Sequence, residues 1–186
     1  VYKDRQDPTI TTTFILKEGD TPASRELAGV AAIGWTTTPW TVPANLALAV
    51  GPEIDYVALP AGPNGTSAKA ERFLLASERL EDYATDLGYE DADSARESVE
   101  AHYLGKDLEG IRYEPLFDAF TDAEKFGTEN AWRILVADYV TTTDGTGIVH
   151  QAPAYGEDDQ ATCEKYGIPV ILTVDEGARV LPLSLI

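Results

Sequence analysis

Histidine and cysteine, which supply many of the bases, nucleophiles and metal ligands of proteins, are scarce in this chain of 186 residues, with two histidines and one cysteine. His150 ends an apolar run directly before a loop that contains Pro153 and the start of a predicted helix. Such a position delivers a polar side chain to a cleft, although a purely structural role for His150 fits the sequence as well. His102 lies among polar residues typical of a helix, and we interpret it as an exposed surface histidine.

Two adjacent aspartates, Asp158 and Asp159, follow His150 where a helix is predicted to begin. Carboxylates in a first helical turn stabilise the positive end of the helix dipole, so one of the two is expected to cap the helix. Adjacent residues on a helix point in different directions and the sequence offers no third ligand, so no metal site is predicted. The other carboxylate is free to face the same cleft as His150, where it could pair with an amine of a ligand.

The third feature that could take part in ligand binding or catalysis is a run of threonines interrupted by two prolines. It lies in the segment WTTTPWTVPAN, which begins at Trp35. Threonines can be present simply because they favour β-strands. Pro39 and Pro43, however, exclude a regular helix or a central strand, so hydroxyls and backbone amides are left for contacts outside a sheet. The threonines concerned are Thr36, Thr37, Thr38 and Thr41.

The standard signatures of nucleotide binding and hydrolysis are missing from the sequence, which has no P-loop, dinucleotide-binding, HExxH or GxSxG motif. Its 14 basic and 32 acidic residues give a net charge of −18, which argues against a free-standing nucleic-acid binder. The single cysteine, Cys163, excludes an internal disulfide and indicates a reducing compartment. No apolar run approaches the roughly 18 residues of a membrane span, so a cytoplasmic protein without membrane contact is expected.

The elements that must position these residues are predicted to be mostly short strands. β-branched or alternating apolar residues predict strands over residues 9–18, 46–50, 55–59, 72–76, 131–140, 148–151 and 169–174. Residues 60–67, rich in proline and glycine, predict the turn of a hairpin. Residues 36–45 are expected to form an irregular loop, 105–118 turns and strand pieces, and 141–147 a turn that leads into the next strand.

Three helices are predicted. One covers residues 77–87, capped by Ser77 and stopped by Gly88, and another covers 157–166, stopped by Gly167. A weaker helix over 92–103 has so thin an apolar stripe that it should lie on the surface.

The prevalence of strands indicates an α+β class with a β-rich, barrel-like core and a few peripheral helices. Without a long linker or an internal repeat, residues 1–186 are expected to form a single domain. The lack of methionine, the start at Val1 and the apolar ending VLPLSLI lead us to expect a fragment excised from a larger protein.

Three segments resemble the editing domain that is inserted into the catalytic domain of isoleucyl-tRNA synthetases. They are WTTTPWTVPANLA (35–47), GKDLEGIRYEPLF (105–117) and DGTGIVHQAPAYGEDD (144–159). They occur in the family's order and span about two thirds of the chain. Valyl and leucyl relatives usually carry TTRP followed by Glu-Thr or Asp-Thr where this chain has TTTPWT, so the isoleucyl family is preferred and a valyl or leucyl relative is the alternative.

The resemblance implies a post-transfer editing site that hydrolyses the ester of valine wrongly attached to isoleucine tRNA. An apolar pocket gains only about 1–3 kcal/mol from one extra methylene, a magnitude for which this enzyme family is itself the standard example, so the synthetic site rejects valine too weakly. A second sieve then admits valine and excludes the larger isoleucine. No cofactor or metal is expected in this domain, whereas ATP and magnesium belong to the synthetic site of the parent enzyme.

The resemblance also implies the site residues, which are Thr36, Thr37, Thr38, Thr41, Asn45, His150 and Asp159. Asp159 is expected to hold the α-ammonium of the aminoacyl group. Thr37, Thr38 and His150 are expected to exclude isoleucine and to place the water and the ester carbonyl. Thr36, Thr41 and Asn45 are expected to bind substrate, the last two by supporting the loop or contacting the terminal adenosine.

A positioned water is the expected nucleophile, with polarisation by hydroxyls and amides and assistance from a ribose hydroxyl. The sequence leaves open whether His150 is a base or a steric wall.

The implied partners are the 3′ end of tRNA(Ile) carrying valine and the rest of the parent synthetase, without an obligate oligomer. A non-catalytic module that binds aminoacyl-tRNA ends is the rival hypothesis. Both require residues 35–45 and 150–159 to converge on one pocket.

Overall fold

The protein is described by a computed structural model that covers residues 9–68, 70–175 and 179. Its strands are β1 (Ile10–Ile15), β2 (Ala31–Thr36), β3 (Ala47–Val50), β4 (Asp55–Pro60), β5 (Arg72–Ala76), β6 (Ala101–Leu104), β7 (Ile134–Val136) and β8 (Ile148–Gln151). They form one mixed sheet in the order β6-β4-β5-β2-β8-β3-β7, with β1 paired to β2 outside this path.

The helices of the described ranges are short and lie outside the sheet. The α-helices are α1 (Pro22–Glu26), α2 (Leu80–Tyr83), α3 (Ala92–Glu97), α4 (Ala123–Phe126) and α5 (Glu157–Lys165). The 3₁₀ helices are Pro39–Ala44, Ser77–Arg79 and Gly105–Leu108. None of these helices is long and apolar enough to cross a membrane.

The sheet divides at β2. One edge of β2 pairs antiparallel with β1 along its whole length. The other edge pairs in parallel with β5 at Ala31 and Ala32, and then with β8 at Trp35. Beyond this point the end of β5 turns to another partner, since the backbone N–H of Ala76 donates to the carbonyl of Thr146 at 2.9 Å. The sheet therefore curls into a half-barrel that is open near the carboxyl end of β2.

Both faces of the central strands are buried, which explains why their sequences are apolar runs rather than alternating patterns. Tyr56 and Leu74 belong to the core on one face. On the opposite face, Val57 and Phe73 pack with Leu80 of α2. This double burial makes the sheet a rigid support for the cleft described below.

Most predicted strands are confirmed. β1, β3, β5, β8 and α5 lie within the segments predicted for them, and β4 extends one residue beyond its predicted segment, to Pro60. The predicted hairpin is confirmed by the antiparallel pairing of β4 with β5, from Tyr56 opposite Ala76 to Pro60 opposite Arg72. The α+β class and the β-rich, barrel-like core with few helices are confirmed as well.

The helix predicted over residues 92–103 is wrong in its second half. α3 ends at Glu97, and Ala101–Leu104 instead forms β6 along the edge of β4. A weak surface helix offers few tertiary contacts, whereas pairing with β4 supplies backbone hydrogen bonds along one edge of the segment. His102 therefore lies on a strand, and its predicted exposure is confirmed: its side chain is 62% exposed and its Nδ1 lies 2.9 Å from Asp55.

Three other predictions need correction. Ser77 does not cap a helix, because Ser77–Arg79 forms a 3₁₀ turn without a side-chain cap and α2 covers only Leu80–Tyr83. The strand predicted over 131–140 shrinks to β7, which matches the three residues of β3 beside it. Residues 169–174 form no strand, and Val174 alone takes part in an isolated β-bridge.

The segment 36–45, expected to be an irregular loop, contains the 3₁₀ helix Pro39–Ala44. Pro39 lies in the first turn of this helix. N–H groups in a first turn make no hydrogen bond within the helix, so a proline, which has no N–H, is tolerated there. The two prolines therefore shape a tight turn after β2 instead of leaving the backbone irregular.

Candidate functional site

A cleft of about 370 Å³ opens near the carboxyl end of β2, where the sheet divides. Thr36, Thr37, Thr38, His150 and Asp159 all line it. The residues come from the turn after β2, from β8 and from the first turn of α5. The predicted convergence of two segments more than 100 residues apart is therefore confirmed.

The threonine segment is held by its own hydroxyls. The Thr36 hydroxyl accepts the backbone N–H of Thr38 at 3.1 Å, and the Thr41 hydroxyl donates to the Thr38 carbonyl at 2.9 Å. The hydroxyls of Thr36 and Thr38 lie 3.2 Å apart. The Thr37 hydroxyl has no hydrogen-bond partner within the described ranges, so it is available to a ligand in the cleft.

His150 is part of the cleft wall and is largely buried in it, with 6% of its surface exposed. Its Nε2 lies 3.0 Å from the Thr41 hydroxyl, and its Nδ1 lies 2.8 Å from Nδ2 of Asn45. Burial lowers the pKa of His150 to about 4, because the imidazolium would lose its hydration. The ring is therefore neutral near pH 7, and both of its nitrogens are already engaged by protein atoms.

Asp159 is placed by the backbone before α5. Its Oδ2 accepts the N–H of Ala152 at 2.9 Å. Partial burial raises the pKa of Asp159 above its ordinary value, the hydrogen bond from Ala152 acts in the opposite direction, and the charge of Asp158 adds a smaller upward shift. A carboxylate with these features is stabilised when a cation approaches its second oxygen.

The loop 141–147 forms the opposite part of the cleft wall and is tied to the rest of the molecule by Arg79. The guanidinium donates to the carbonyls of Gly145 at 2.7 Å and Thr142 at 3.3 Å, and it pairs with Asp82 at 2.7 Å. At Gly147 the backbone has φ 77°, and an added Cβ would lie 2.4 Å from the Ala76 side chain. Only glycine fits this close approach.

The electrostatic character of the cleft is acidic. Asp144 and Asp159 line it, and neither lysine nor arginine is among its lining residues in the part of the chain that the structure describes. Within the same ranges, no three His, Cys, Asp or Glu side chains cluster closely enough to hold a metal ion. The cleft is thus suited to a small ligand that carries a positive charge beside neutral polar groups.

The structure separates the predicted site residues into two groups. Thr36, Thr37, Thr38, His150 and Asp159 reach the cleft, whereas Thr41 and Asn45 are buried behind His150 with 3% and 5% exposure. Of the two roles expected for Thr41 and Asn45, support of the loop is the one their positions favour. Contact with a bound adenosine would require them to leave their hydrogen bonds to His150.

The expectation that one of the two aspartates caps α5 needs correction. The residue in the cap position is Gly156, and no side chain caps the helix. Asp158 is exposed in the first turn, and Asp159 reaches back to Ala152. Adjacent residues on a helix point in different directions, so Asp158 faces the surface and Asp159 faces the cleft.

Two residues that the sequence analysis did not single out also support the site. Arg79 holds the loop 141–147, and Tyr113 donates its hydroxyl hydrogen to Oδ1 of Asn45 at 2.6 Å. Tyr113 belongs to the segment GKDLEGIRYEPLF, whose resemblance to the family pointed to this region without a role for any residue in it. Nothing in the sequence around Arg79 indicates its contact with the loop.

Sequence comparison finds relatives over almost the whole chain. Isoleucine--tRNA ligase from Leifsonia xyli subsp. xyli is 54% identical and matches 98% of this chain, and the enzyme of that name from Corynebacterium diphtheriae is 49% identical over 98% of it. The chain spans only 17% and 16% of the lengths of these relatives. No family model matches the chain.

Structural comparison finds editing domains of leucyl-tRNA synthetases. The crystal structure of GlLeuRS-CP1 has a TM-score of 0.60 at 19% identity and covers 94% of this chain and 70% of its own. The editing domain of the P. falciparum cytosolic leucyl-tRNA synthetase has a TM-score of 0.52 at 16% identity and covers 75% of this chain and 50% of its own. At such identities the likeness establishes a shared fold.

Proposed function

Because the chain belongs, over the segment that it spans, to the family of isoleucine--tRNA ligases, we propose that it is their editing domain. In this proposal it hydrolyses the ester that links a wrong amino acid to the 3′ end of tRNA(Ile). The wrong amino acid is valine, since it is smaller than isoleucine by one methylene and passes a first sieve based on size.

One observation carries the proposal: the cleft places Asp159, a carboxylate with no ion pair among the described residues, in the same small space as the hydroxyls of Thr37 and Thr38. An aminoacyl ester combines a positively charged α-ammonium with a polar ester group. The carboxylate would bind the ammonium through a charge-assisted hydrogen bond, and the hydroxyls would contact the ester. Fixing the ammonium determines where the ester carbonyl lies.

The proposed reaction is attack by water on the ester carbonyl carbon. The bond between that carbon and the ribose oxygen breaks, the water oxygen becomes part of the free carboxylate of valine, one proton of the water is released to solvent, and the other passes to the ribose oxygen. We assign the relay of this proton to the neighbouring ribose hydroxyl, because His150 has both ring nitrogens engaged by Thr41 and Asn45. The hydroxyls and backbone N–H groups of the threonine segment would stabilise the negative oxygen of the transition state.

This chemistry requires no cofactor in the domain. ATP and magnesium would be used elsewhere, at the synthetic site of the full-length enzyme. The partners in this proposal are the 3′ end of tRNA(Ile) carrying valine and the rest of the synthetase, and the enzyme works in the cytoplasm. The acidic cleft also fits a module that binds aminoacyl ends without turning them over, and release of valine separates the two functions.

The test compares Asp159→Asn with Asp158→Asn. Loss of a charge-assisted hydrogen bond is worth about 1.5–3 kcal/mol, so we expect Asp159→Asn to weaken binding of a non-hydrolysable valyl-adenosine amide by about 10–100-fold in calorimetry. The Asp158→Asn change, on the exposed side of the same helical turn, should alter binding less than twofold. Equal effects of the two changes would refute the role of Asp159.

Release of valine from Val-tRNA(Ile) is then measured with this chain and with a full-length synthetase that carries it. Hydrolysis that depends on Asp159 supports the editing function. Binding of the analogue with no valine release by either protein would support the non-catalytic module instead.

A further inference from the structure

We propose that Tyr113 is a positioning residue of the cleft, which acts through Asn45 to hold His150 as the tautomer protonated on Nε2. In this arrangement His150 donates a hydrogen bond to Thr41 and cannot serve as a base. The consequence for hydrolysis rests on the function proposed above, but the tautomer itself does not, since it is a property of the protein without substrate.

The orientation of the Asn45 amide is set at both of its ends. Nδ2 lies 2.9 Å from the backbone carbonyl of Ala47, and a carbonyl can only accept, so this atom is the amide nitrogen. Oδ1 accepts the hydroxyl hydrogen of Tyr113 at 2.6 Å. The second N–H of the amide is therefore directed at Nδ1 of His150, 2.8 Å away.

The direction of this bond decides the tautomer of His150. Since Nδ1 accepts from Asn45, it carries no proton, and the single proton of a neutral imidazole must lie on Nε2. Nε2 then donates to the Thr41 hydroxyl at 3.0 Å, and that hydroxyl donates to the Thr38 carbonyl at 2.9 Å. The hydrogen bonds run in one direction from Tyr113 through Asn45, His150 and Thr41 to Thr38.

Tyr113 is suited to begin this series because it is fixed in the core. It has 1% of its surface exposed and packs edge-on against Phe14, with ring centroids 5.3 Å apart. Its backbone also bridges to Leu16 beside the end of β1. Complete burial raises the pKa of the Tyr113 phenol well above its ordinary value, so the hydroxyl stays a donor wherever the protein is folded.

The opposite tautomer would change the cleft wall. With the proton on Nδ1, the ring would face an N–H of Asn45 with its own N–H, and Nε2 would become an acceptor. The Thr41 hydroxyl would then donate to Nε2 and release the Thr38 carbonyl. Tyr113 thus positions the threonine segment from the interior of the protein, without reaching the cleft.

The tautomer can be measured directly, because the chain has only two histidines. In the protein labelled with ¹⁵N-histidine, we expect the Nε2 of His150 to show a bonded proton and the Nδ1 to show none, unchanged from pH 8 to pH 5. The exposed His102 gives the only other histidine signal in the same spectra and serves as the internal reference. A proton on Nδ1 of His150 in the unaltered protein would overturn the proposal.

Tyr113→Phe tests the origin of the effect, with Tyr89→Phe as the matched control. Tyr89 is also buried and donates its hydroxyl to a backbone carbonyl, that of Pro60 at 2.6 Å, but it lies outside the cleft. In Tyr113→Phe we expect the His150 signals to show both tautomers, and kcat for valine release to fall about tenfold with KM within about twofold. Tyr89→Phe should change neither.

If Tyr113→Phe has the same His150 signals and the same kcat as the unaltered protein, Tyr113 does not position His150. Should Tyr113→Phe fail to fold, Asn45→Asp tests the same series, because a carboxylate at Nδ1 accepts where the amide donates. We expect Asn45→Asp to place a proton on Nδ1 and to raise the pKa of His150 by more than one unit. If neither the tautomer nor the pKa of His150 changes, the proposal is contradicted.

Absence of valine release by the unaltered enzyme would refute the editing function and leave the tautomer measurement valid.

Discussion

At the scale of single residues, His150 shows how burial and hydrogen bonding together determine the state of a titratable group. Desolvation lowers its pKa to about 4, and the N–H of Asn45 directed at Nδ1 opposes a second proton. A base that works near neutral pH needs a pKa close to that pH and an accessible lone pair. His150 has neither, which favours a structural and positioning role over proton transfer.

This state of His150 makes stability depend on pH. Its pKa in the folded protein, about 4, is lower than the ordinary value of about 6.5 in an unfolded chain. The unfolded chain therefore binds the extra proton first, and the contribution of His150 to stability is complete above pH 6.5 and decreases as the pH falls from 6.5 towards 4.

Between pH 7.5 and pH 5 this contribution to the free energy of unfolding should fall by about 2 kcal/mol. Denaturant unfolding of the unaltered chain and of His150→Gln at both pH values isolates it from the carboxylates, which the two proteins share. Equal pH dependence in the two proteins would contradict the lowered pKa.

The size limit of the cleft is also a matter of single side chains. β-Branched threonines have a restricted χ1 and cannot retreat from a ligand. We expect Thr38→Ala to open space for one methylene, so that the full-length enzyme removes isoleucine from correctly charged Ile-tRNA(Ile). The gain should be larger for isoleucine than for valine, because only isoleucine overlaps with the wall.

Deacylation of both aminoacyl-tRNAs by the unaltered enzyme and by Thr38→Ala gives the comparison, with Thr13→Ala on the distant part of β1 as the control. Loss of valine hydrolysis without any isoleucine hydrolysis would mean that Thr38 positions water or ester and does not set the size limit.

At the scale of elements, the cleft depends on a loop that has little core of its own. The loop 141–147 is held by the two carbonyl contacts of Arg79, which comes from the 3₁₀ turn before α2. Thr142 also donates its hydroxyl to Glu78 of the same turn. The 3₁₀ turn Ser77–Arg79, which the sequence predicted as the start of a helix, thus supports one wall of the cleft.

We expect Arg79→Gln to loosen this loop. Hydrogen bonds from a charged group contribute about 1.5–3 kcal/mol each, and the side chain of Arg79 is partly exposed, so local opening should become easier by about 2 kcal/mol in all. Hydrogen exchange of residues 142–147 should accelerate by a corresponding factor, and KM for the aminoacyl-tRNA should rise.

Arg96→Gln is the control, because Arg96 also pairs with acidic side chains, Glu81 of α2 and Asp93 of α3, and neither of these ion pairs involves the loop. If Arg79→Gln and Arg96→Gln had the same effect on exchange in the loop, the support would have to come from other residues.

At the scale of the whole molecule, the net charge of −18 opposes the approach of tRNA. The folded cleft recognises a cationic group locally, but the phosphates of tRNA meet a surface of the same sign. Under the proposed function, binding of the aminoacyl-tRNA therefore has to draw on basic groups outside this chain.

We expect the chain alone to bind tRNA with a Kd weaker than about 10⁻⁴ M, the weak limit of ordinary non-specific binding. Because salt screens repulsion, added salt should strengthen this residual binding, which is the opposite of the usual behaviour of a nucleic-acid binder. The valyl-adenosine amide should bind the chain with little change over the same salt range. Tight tRNA binding that weakens steeply with salt would contradict this account.

Local sequence signals were sufficient for much of the fold. The hairpin of β4 and β5 follows from two apolar runs around a turn rich in proline and glycine, and α5 follows from acidic residues at its start and Gly167 after its end. These features depend on backbone preferences and on burial along one segment. The resemblance to the synthetase family then implied seven site residues, of which five line the cleft and two, Thr41 and Asn45, stand behind it.

Other features depended on partners that are distant in sequence. Residues 101–104 form β6 because they pair with the edge of β4, whereas residues 169–174 form no strand and contribute only the isolated bridge of Val174. A strand is stable only when another strand satisfies its backbone, so local propensity cannot decide these cases.

The same limit applies to the site. The residue types, their order and the family resemblance predicted that a threonine turn, a histidine and an aspartate would meet, and the free carboxylate among them indicated a ligand with an amine. Only the tertiary structure decided which of these groups face the cleft and which stand behind it. It placed Asn45 between Tyr113 and His150, and the resulting hydrogen bonds, at 2.6 and 2.8 Å, direct the proton of the imidazole. Hydrogen-bond direction depends on what lies at the far end of each donor and acceptor, and that information is absent from any single segment of the chain.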